Sequence, residues 1–328
     1  MSGANVLGGG ALPLVRTPTI SPGQMGVPGT DTENGLRVSS TGSVFYVDPN
    51  YPGASTTADG TLPTNPLSTI TAAIARCESY RNDVIIVGMN AGYADGPGTP
   101  YGTTIQESVT LDKHGVRLIG ASPSVFGVPW GPGAVDEFCL TVTGSDCLVE
   151  GFGFTGDVNA GDGIYAEWNG ITMWADNLVI RHCLFDDTID TAIQLEFVWY
   201  ADIWDCFFQQ CDEYGIFVDA AGSGIAYAYI HHNWFQDCVT GAIFAEGADD
   251  CKIEWNNIYN ATAVGAGASV DLGINTAGGS SNIVAHNTLS CLLPVPANGD
   301  YDDFCSPGAG DAWIQNYCMD GPSVTNPT

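Results

Sequence analysis

The chain has 328 residues, 37 of them acidic and 8 of them Lys or Arg, for a formal net charge of −29. Phosphate recognition needs clustered basic side chains, so this balance excludes nucleic acid as a direct partner. No run approaches the roughly 18–20 apolar residues that span a bilayer, which excludes insertion by a helix.

Residues 1–43 are rich in Gly, Pro, Ser and Thr and show no periodicity, with Leu7, Leu12, Leu14 and Val15 as isolated apolar points. Such a segment reads either as a disordered terminus or as an extended arm lying along a neighbouring subunit. Met1-Ser2-Gly3-Ala4-Asn5 offers neither a basic n-region nor an apolar h-region. Synthesis in a cytoplasm, without a signal peptide, is the expectation. Next come Phe45-Tyr46-Val47-Asp48-Pro49, Asp59-Gly60-Thr61 and the stretch from Asn65 to Ile74. Ile70, Ala73, Ile74 and Cys77 share one helical face, which predicts a short capping helix near 67–78. Asp83 to Val87 reads as an early strand.

From Leu148 to Leu289 one phrase recurs: an aliphatic, two residues, a Cys or Asn, one residue, then a large apolar. Clear copies are Ile180-Arg181-His182-Cys183-Leu184-Phe185, Ile203-Trp204-Asp205-Cys206-Phe207-Phe208 and Ile230-His231-His232-Asn233-Trp234-Phe235. Two more run from Ile253 to Ile258 and from Val284 to Leu289. A unit of this kind cannot bury its apolar face alone, so copies must stack into a solenoid. Local alternation, as in Ile216-Phe217-Val218, and 42 glycines favour short strands over helices. Three strands per coil, with turns absorbing an uneven period, predict an all-β parallel β-helix across residues 44–293. The framework of leucine-rich repeats is absent. Residues 294–328 carry Pro294, Pro296, Pro307 and Pro322, and Trp313, Ile314 and Tyr317 are placed to dock on the last coil as a lid.

Aligned copies expose columns. The Cys/Asn slot (Cys183, Cys206, Asn233, Asn256, Asn287) reads as a structural ladder, with coils stacking about 4.8 Å apart. Eleven cysteines, an odd number, in a reducing compartment favour stacked thiols over disulfides. Cys211 and Cys238 also share a slot, and the sequence leaves open whether they are bonded. No Cys-x-x-Cys spacing suggests zinc. A second column, Tyr165, Gln194, Phe217 and Phe244, points outward beside an acidic column of Glu167, Glu196, Asp219 and Glu246. Carboxylates one coil apart repel and attract cations, so Ca²⁺ is the one ion this pattern suggests, and no other cofactor is implied. Paired carboxylates at such spacings also suit glycoside hydrolysis, which makes Glu196, Asp219 and Glu246 the catalytic candidates. The aromatic column reads first as a subunit interface, with a glycan platform or plain exposed surface as the alternatives. A further column, His182, Asp205, His232, Trp255 and His286, reads as a polar turn ladder, its histidines being two coils apart and too distant for one metal.

The repeat and its upstream segment together resemble right-handed parallel β-helix proteins of the pectin-lyase-like superfamily, over roughly residues 44–290. That superfamily includes lyases, hydrolases and inert virion spikes, so the resemblance speaks to fold before function. Its lyases use Lys or Arg as base and Ca²⁺ to hold uronates. Here the coil carries only Lys113, Arg117, Arg181 and Lys252, which counts against that mechanism. The opening from Phe45 to Ile74 looks like that of phage-encoded β-helix proteins. The resemblance then implies a homotrimeric virion surface protein, a capsid decoration or spike, with the arm bound to another virion protein such as the major capsid protein. The alternative it implies is a tailspike-type glycoside hydrolase, or a glycan-binding protein, acting on host surface polysaccharide.

Overall fold

The computed structural model describes residues 42–88, 105–122, 127–156, 161–168, 175–186, 191–218, 224–260, 273–291 and 305–318. The described strands pair in parallel and form three long sheets of ten, nine and eight strands, here A, B and C. Each coil visits A, then B, then C. One full coil runs through Val179–Arg181 in A, Leu184–Asp186 in B and Thr191–Leu195 in C. The architecture is a right-handed parallel β-helix, and among the described residues no helix is long and apolar enough to cross a membrane.

Register explains why the phrase repeats. Ile180, Ile203, Ile230 and Ile253 pair in succession on sheet A, and Phe154, Phe185, Phe208 and Phe235 do so on sheet B. All eight are fully buried. The rings of Phe185, Phe208 and Phe235 stack with centroids 4.9 and 4.4 Å apart. Each such side chain contributes on the order of 2 kcal/mol through burial, and parallel registration adds ring contact along the axis. The aliphatic column of sheet C, Ile164, Ile193, Ile216 and Ile243, closes the core from the third side.

The entry to the coil is plugged by a helix of one turn and a little more, Ile70–Ile74, with Ile70, Ala73 and Ile74 buried. It is shorter than the span 67–78 expected from the apolar face. Leu67 instead bridges to Val47 as extended chain, and the helix ends at Ala75. Thr69 caps it by accepting a hydrogen bond from the Ala72 amide at 3.2 Å. Glu107, from the next coil, accepts the Ile70 and Thr71 amides at 2.9 Å each. A carboxylate there satisfies donors a helix start leaves open.

The other end differs from the expected lid. Ala312–Ile314 pairs with Ile283–Ala285 and Tyr317–Cys318 pairs with Thr288 and Leu289, so Trp313, Ile314 and Tyr317 belong to a further coil. Cys305–Ser306 supplies the sheet C strand of the coil before it, pairing with Ile274 and Asn275. Trp313 takes the inward position that isoleucines hold earlier, while Ile314 and Tyr317 face out. Position 41 and everything before it lie outside the described residues, as does most of the stretch 292–328 except 305–318; the proposed arm falls there.

Candidate functional site

The turn from sheet A to sheet B is made by a single residue in the left-handed region. His182, Asp205, His232, Trp255, His286 and Gln315 all have φ between 49° and 60°. Asp and His tolerate that region, whereas a bulky ring such as that of Trp255 is strained there. The next residue is the Cys/Asn slot, and every member of the slot is buried. Asn256 donates from Nδ2 to the Ile230 carbonyl at 3.0 Å and to Asn287 Oδ1 at 3.0 Å. Its Oδ1 accepts the Asn233 amide at 3.0 Å. Asn233 and Asn287 repeat these bonds, and Asn316 continues the row into the last coil. Cys206 takes the same place with Sγ 3.8 Å from the Ile180 carbonyl, and its amide donates to Asn233 Oδ1 at 3.0 Å. Cys183 closes the row, with Sγ 3.3 Å from the Arg181 carbonyl. A second row, at the turn from sheet C into sheet A, escaped the sequence reading. Cys251 donates its amide to Asn282 Oδ1 at 2.9 Å, and Asn282 Nδ2 reaches Ala248 O and Asp311 Oδ1. The signal was present as a Cys/Asn/Asp slot two residues before each sheet A isoleucine or valine, but Leu178, Ala201 and Ala228 interrupt it.

On the outside of sheet A the polar turn ladder joins a charged network. Glu150 and Arg181, nearly fully buried, pair at 2.9 Å. His182 Nδ1 lies 3.1 Å from Glu150 and its Nε2 lies 3.6 Å from Asp205. Burial pulls the His182 imidazole down, but Asp205 and Glu150 outweigh it and raise its pKa to about 9. Burial likewise pushes the Glu150 carboxyl up, yet the bond from His182 and the charge of Arg181 hold it below its ordinary range. The Arg181 guanidinium sits over Trp204, 5.2 Å from the ring centroid. Beyond it His231 stacks on Tyr229 at 3.8 Å, pairs with Asp202 at 3.1 Å, and has Nδ1 2.8 Å from that of His232. Tyr229 donates its hydroxyl to Glu254 at 3.1 Å. At the margins of this face stand ring pairs: the exposed Tyr200 and Tyr227 at 5.1 Å, and the exposed Trp255 on the half-buried His286 at 4.3 Å.

The outside of sheet C carries the other candidates. Tyr165, Gln194, Phe217 and Phe244 pair in strict register, as the column demands. They are half-buried where full exposure was expected, because neighbouring rings cover them. Tyr214 packs on Phe217 and Phe244 at 5.0 and 5.1 Å, Phe217 on Phe244 at 5.4 Å, and Phe138 on Tyr165 at 4.9 Å. The Tyr165 hydroxyl donates to Glu196. Burial and then the carboxylates of Glu196 and Glu167 push that phenol well above the ordinary tyrosine value. Glu196 is therefore engaged by a neighbour, Glu246 sits at a half-buried turn two coils away, and Asp219 between them lies outside the described residues. Among the described residues no three His, Cys, Asp or Glu side chains converge as metal ligands, on either face. Cys211 and Cys238 are buried and free, as are Cys183 and Cys206.

Among curated protein sequences none matches the chain. A family model described as a right handed beta helix region matches residues 139–289. Among solved structures, alginate lyase from Paenibacillus sp. str. FPU-7 is similar at 16% identity and TM-score 0.46, over 76% of this chain and 94% of that one. Pectate lyase Pel9A follows at 11% and 0.39, over 86% and 81%. ORF18 of Geobacillus virus E2 is similar at 13% and 0.33, over 84% of this chain and 48% of the other. None of these likenesses assigns an activity, and what unites the matches with this chain is the right-handed β-helix.

Proposed function

We propose that the chain is a structural protein of a virion surface, of the decoration or spike kind, which assembles with copies of itself through the outer face of sheet C. The observation that carries this reading is the half-exposed column of rings on sheet C, with Phe138 and Tyr165 on one side of Gln194 and Tyr214, Phe217 and Phe244 on the other. Three copies around one axis bring three such strips together and bury rings that a monomer leaves partly wet. The carboxylate of Glu196 accepts from Tyr165 and is held as part of the strip. A rigid, ladder-braced solenoid suits projection from a particle. Because each copy carries −29, association strengthens as salt screens the repulsion. Sedimentation or light scattering of the full chain at micromolar concentration tests it. A trimer that Phe217→Asp converts to a folded monomer is expected, and a monomer at every salt concentration sinks the reading. Counting copies of the chain in purified virions tests the particle itself.

A second reading, glycan binding without cleavage, is favoured by the ring pairs Tyr200–Tyr227 and Trp255–His286 at the margins of sheet A, in which Tyr200, Tyr227 and Trp255 are exposed. An acidic surface selects a neutral or cationic chain over a uronate. Host polysaccharide retained by the wild type, lost by Trp255→Ala and released without new reducing ends, fits it. New reducing ends point to a hydrolase instead.

A further inference from the structure

Among the described residues two pairs of buried cysteines, Cys183 with Cys206 and Cys211 with Cys238, face each other across one coil step. The pairs differ. Cys183 and Cys206 sit between sheets A and B, with strands continuing on both sides, and their thiols lie against backbone carbonyls at 3.3 and 3.5 Å. Cys211 and Cys238 sit at the turn from sheet B to sheet C, each just after a left-handed residue, Gln210 with φ 53° and Asp237 with φ 58°. Backbone bonds lock the two turns in register: the Gln210 amide donates to the Gln236 carbonyl and the Val239 amide to the Cys211 carbonyl, both at 2.9 Å. Equivalent positions in stacked coils lie about 4.8 Å apart at Cα. That falls inside the range of roughly 4.4–6.8 Å that a disulfide spans.

We infer that Cys211 and Cys238 form an oxidation latch, a coil-to-coil disulfide made when the folded chain meets a small disulfide oxidant such as oxidised glutathione. One of the two thiols loses its proton and attacks the oxidant, and a mixed disulfide forms as one glutathione thiolate leaves and takes up that proton. The second cysteine then attacks the protein-bound sulfur, its own proton leaving with the second glutathione. Two protein thiols are oxidised and one glutathione disulfide is reduced to two thiols. Both thiols are buried, but the turns that carry them are not: Gln210, Asp212, Glu213, Val239 and Thr240 are all exposed. Four residues, 210–213, link the strands on either side of Cys211, so opening there is a local event, whereas only residues 182 and 183 separate the strands that flank Cys183. The partner thiol and burial both hold Cys211 protonated, so the reaction runs over hours. A protein made in a reducing cytoplasm and displayed outside it meets such an oxidant after assembly; the bond itself does not depend on that reading.

The experiment incubates the native full-length chain with oxidised glutathione, quenches in acid, alkylates the remaining thiols and maps peptides without reduction. A dominant peptide joining Cys211 to Cys238 is expected, with Tm raised by about 5 °C or more and restored by dithiothreitol. Cys238→Ser abolishes both the cross-link and the Tm rise. Two results overturn the inference: no such peptide after native oxidation while the urea-unfolded chain forms it readily, or Cys183–Cys206 linking first. Mapping of the wild-type chain decides the matter even where the serine variant fails to fold.

Discussion

On the outer face of sheet A, Glu150, Arg181 and His182 are joined by contacts of 2.9–3.1 Å, two of them with side chains nearly out of water. On the outer face of sheet C, Tyr214, Phe217 and Phe244 lean on one another with centroids 5.0–5.4 Å apart. Both faces cover the same apolar core, and the strands beneath them alternate in the same way. They differ in how they fail. A buried charged network is specific and brittle, because removing one member strands the others. Stacked, half-wet rings lose contact area in proportion to what is removed. The first arrangement defines a unique turn geometry, and the second leaves a surface free to meet a partner.

The most severe way to break that contrast is Glu150→Ala. It leaves the Arg181 guanidinium and the charged His182 without their shared carboxylate, at a cost of about 3–5 kcal/mol. Chemical denaturation should show the loss, and the double variant Glu150→Leu with Arg181→Met should recover most of it. If the single variant costs less than about 1 kcal/mol, the network is too wet to count as buried, and the contrast with sheet C collapses.

Next in size is the ladder that carries sheet A into sheet B. Asn256→Ala removes an acceptor for the Asn233 amide and a donor to the Ile230 carbonyl, at about 2–4 kcal/mol. Asn256→Cys should cost distinctly less, since Cys206 fills the same slot and approaches the Ile180 carbonyl. Denaturant midpoints of the two variants test it, and equal losses would mean that the thiols merely fill space. A smaller effect follows from His182. Its folded pKa, about 9, lies above the ordinary 6.5, so its contribution is complete below pH 6.5 and is lost as pH rises through about 9. Tm should fall by a few degrees across that window, and His182→Gln should flatten the slope.

How much of this was legible in the sequence divides along the same line. The inward columns and the Cys/Asn slot recur at one register, and period alone places Ile180, Phe185 and Asn233. The alternation also named the face that holds Tyr165, Gln194, Phe217 and Phe244, but not Tyr214 and Phe138, which cover it from positions outside that column. The Glu150–Arg181–His182 network was missed because Glu150 precedes the clear copies, and its partners stand about 31 residues away, one coil step that no local pattern marks. The last coil was mistaken for a lid because prolines and a Trp in place of Ile disguise the repeat, although Asn316 occupies the ladder slot.

The mildest perturbation sharpens the comparison most. Phe217→Ala removes a ring from the outside of sheet C and leaves the inward neighbours Ile216 and Val218 in place. Cross-strand contacts of this kind are worth about 0.5–1 kcal/mol, so the folded monomer should lose no more than that in a denaturant titration. Self-association should weaken far more, because the same ring would be fully desolvated between subunits and bounded there by Tyr214 and Phe244. The two measurements pull apart only if the strip is an interface. Should Phe217→Ala destabilise the chain as much as Asn256→Ala while leaving its mass in solution unchanged, the rings belong to the fold. The outer face of sheet C would then be as structural as the ladder, and the functional surface would have to lie on sheet A.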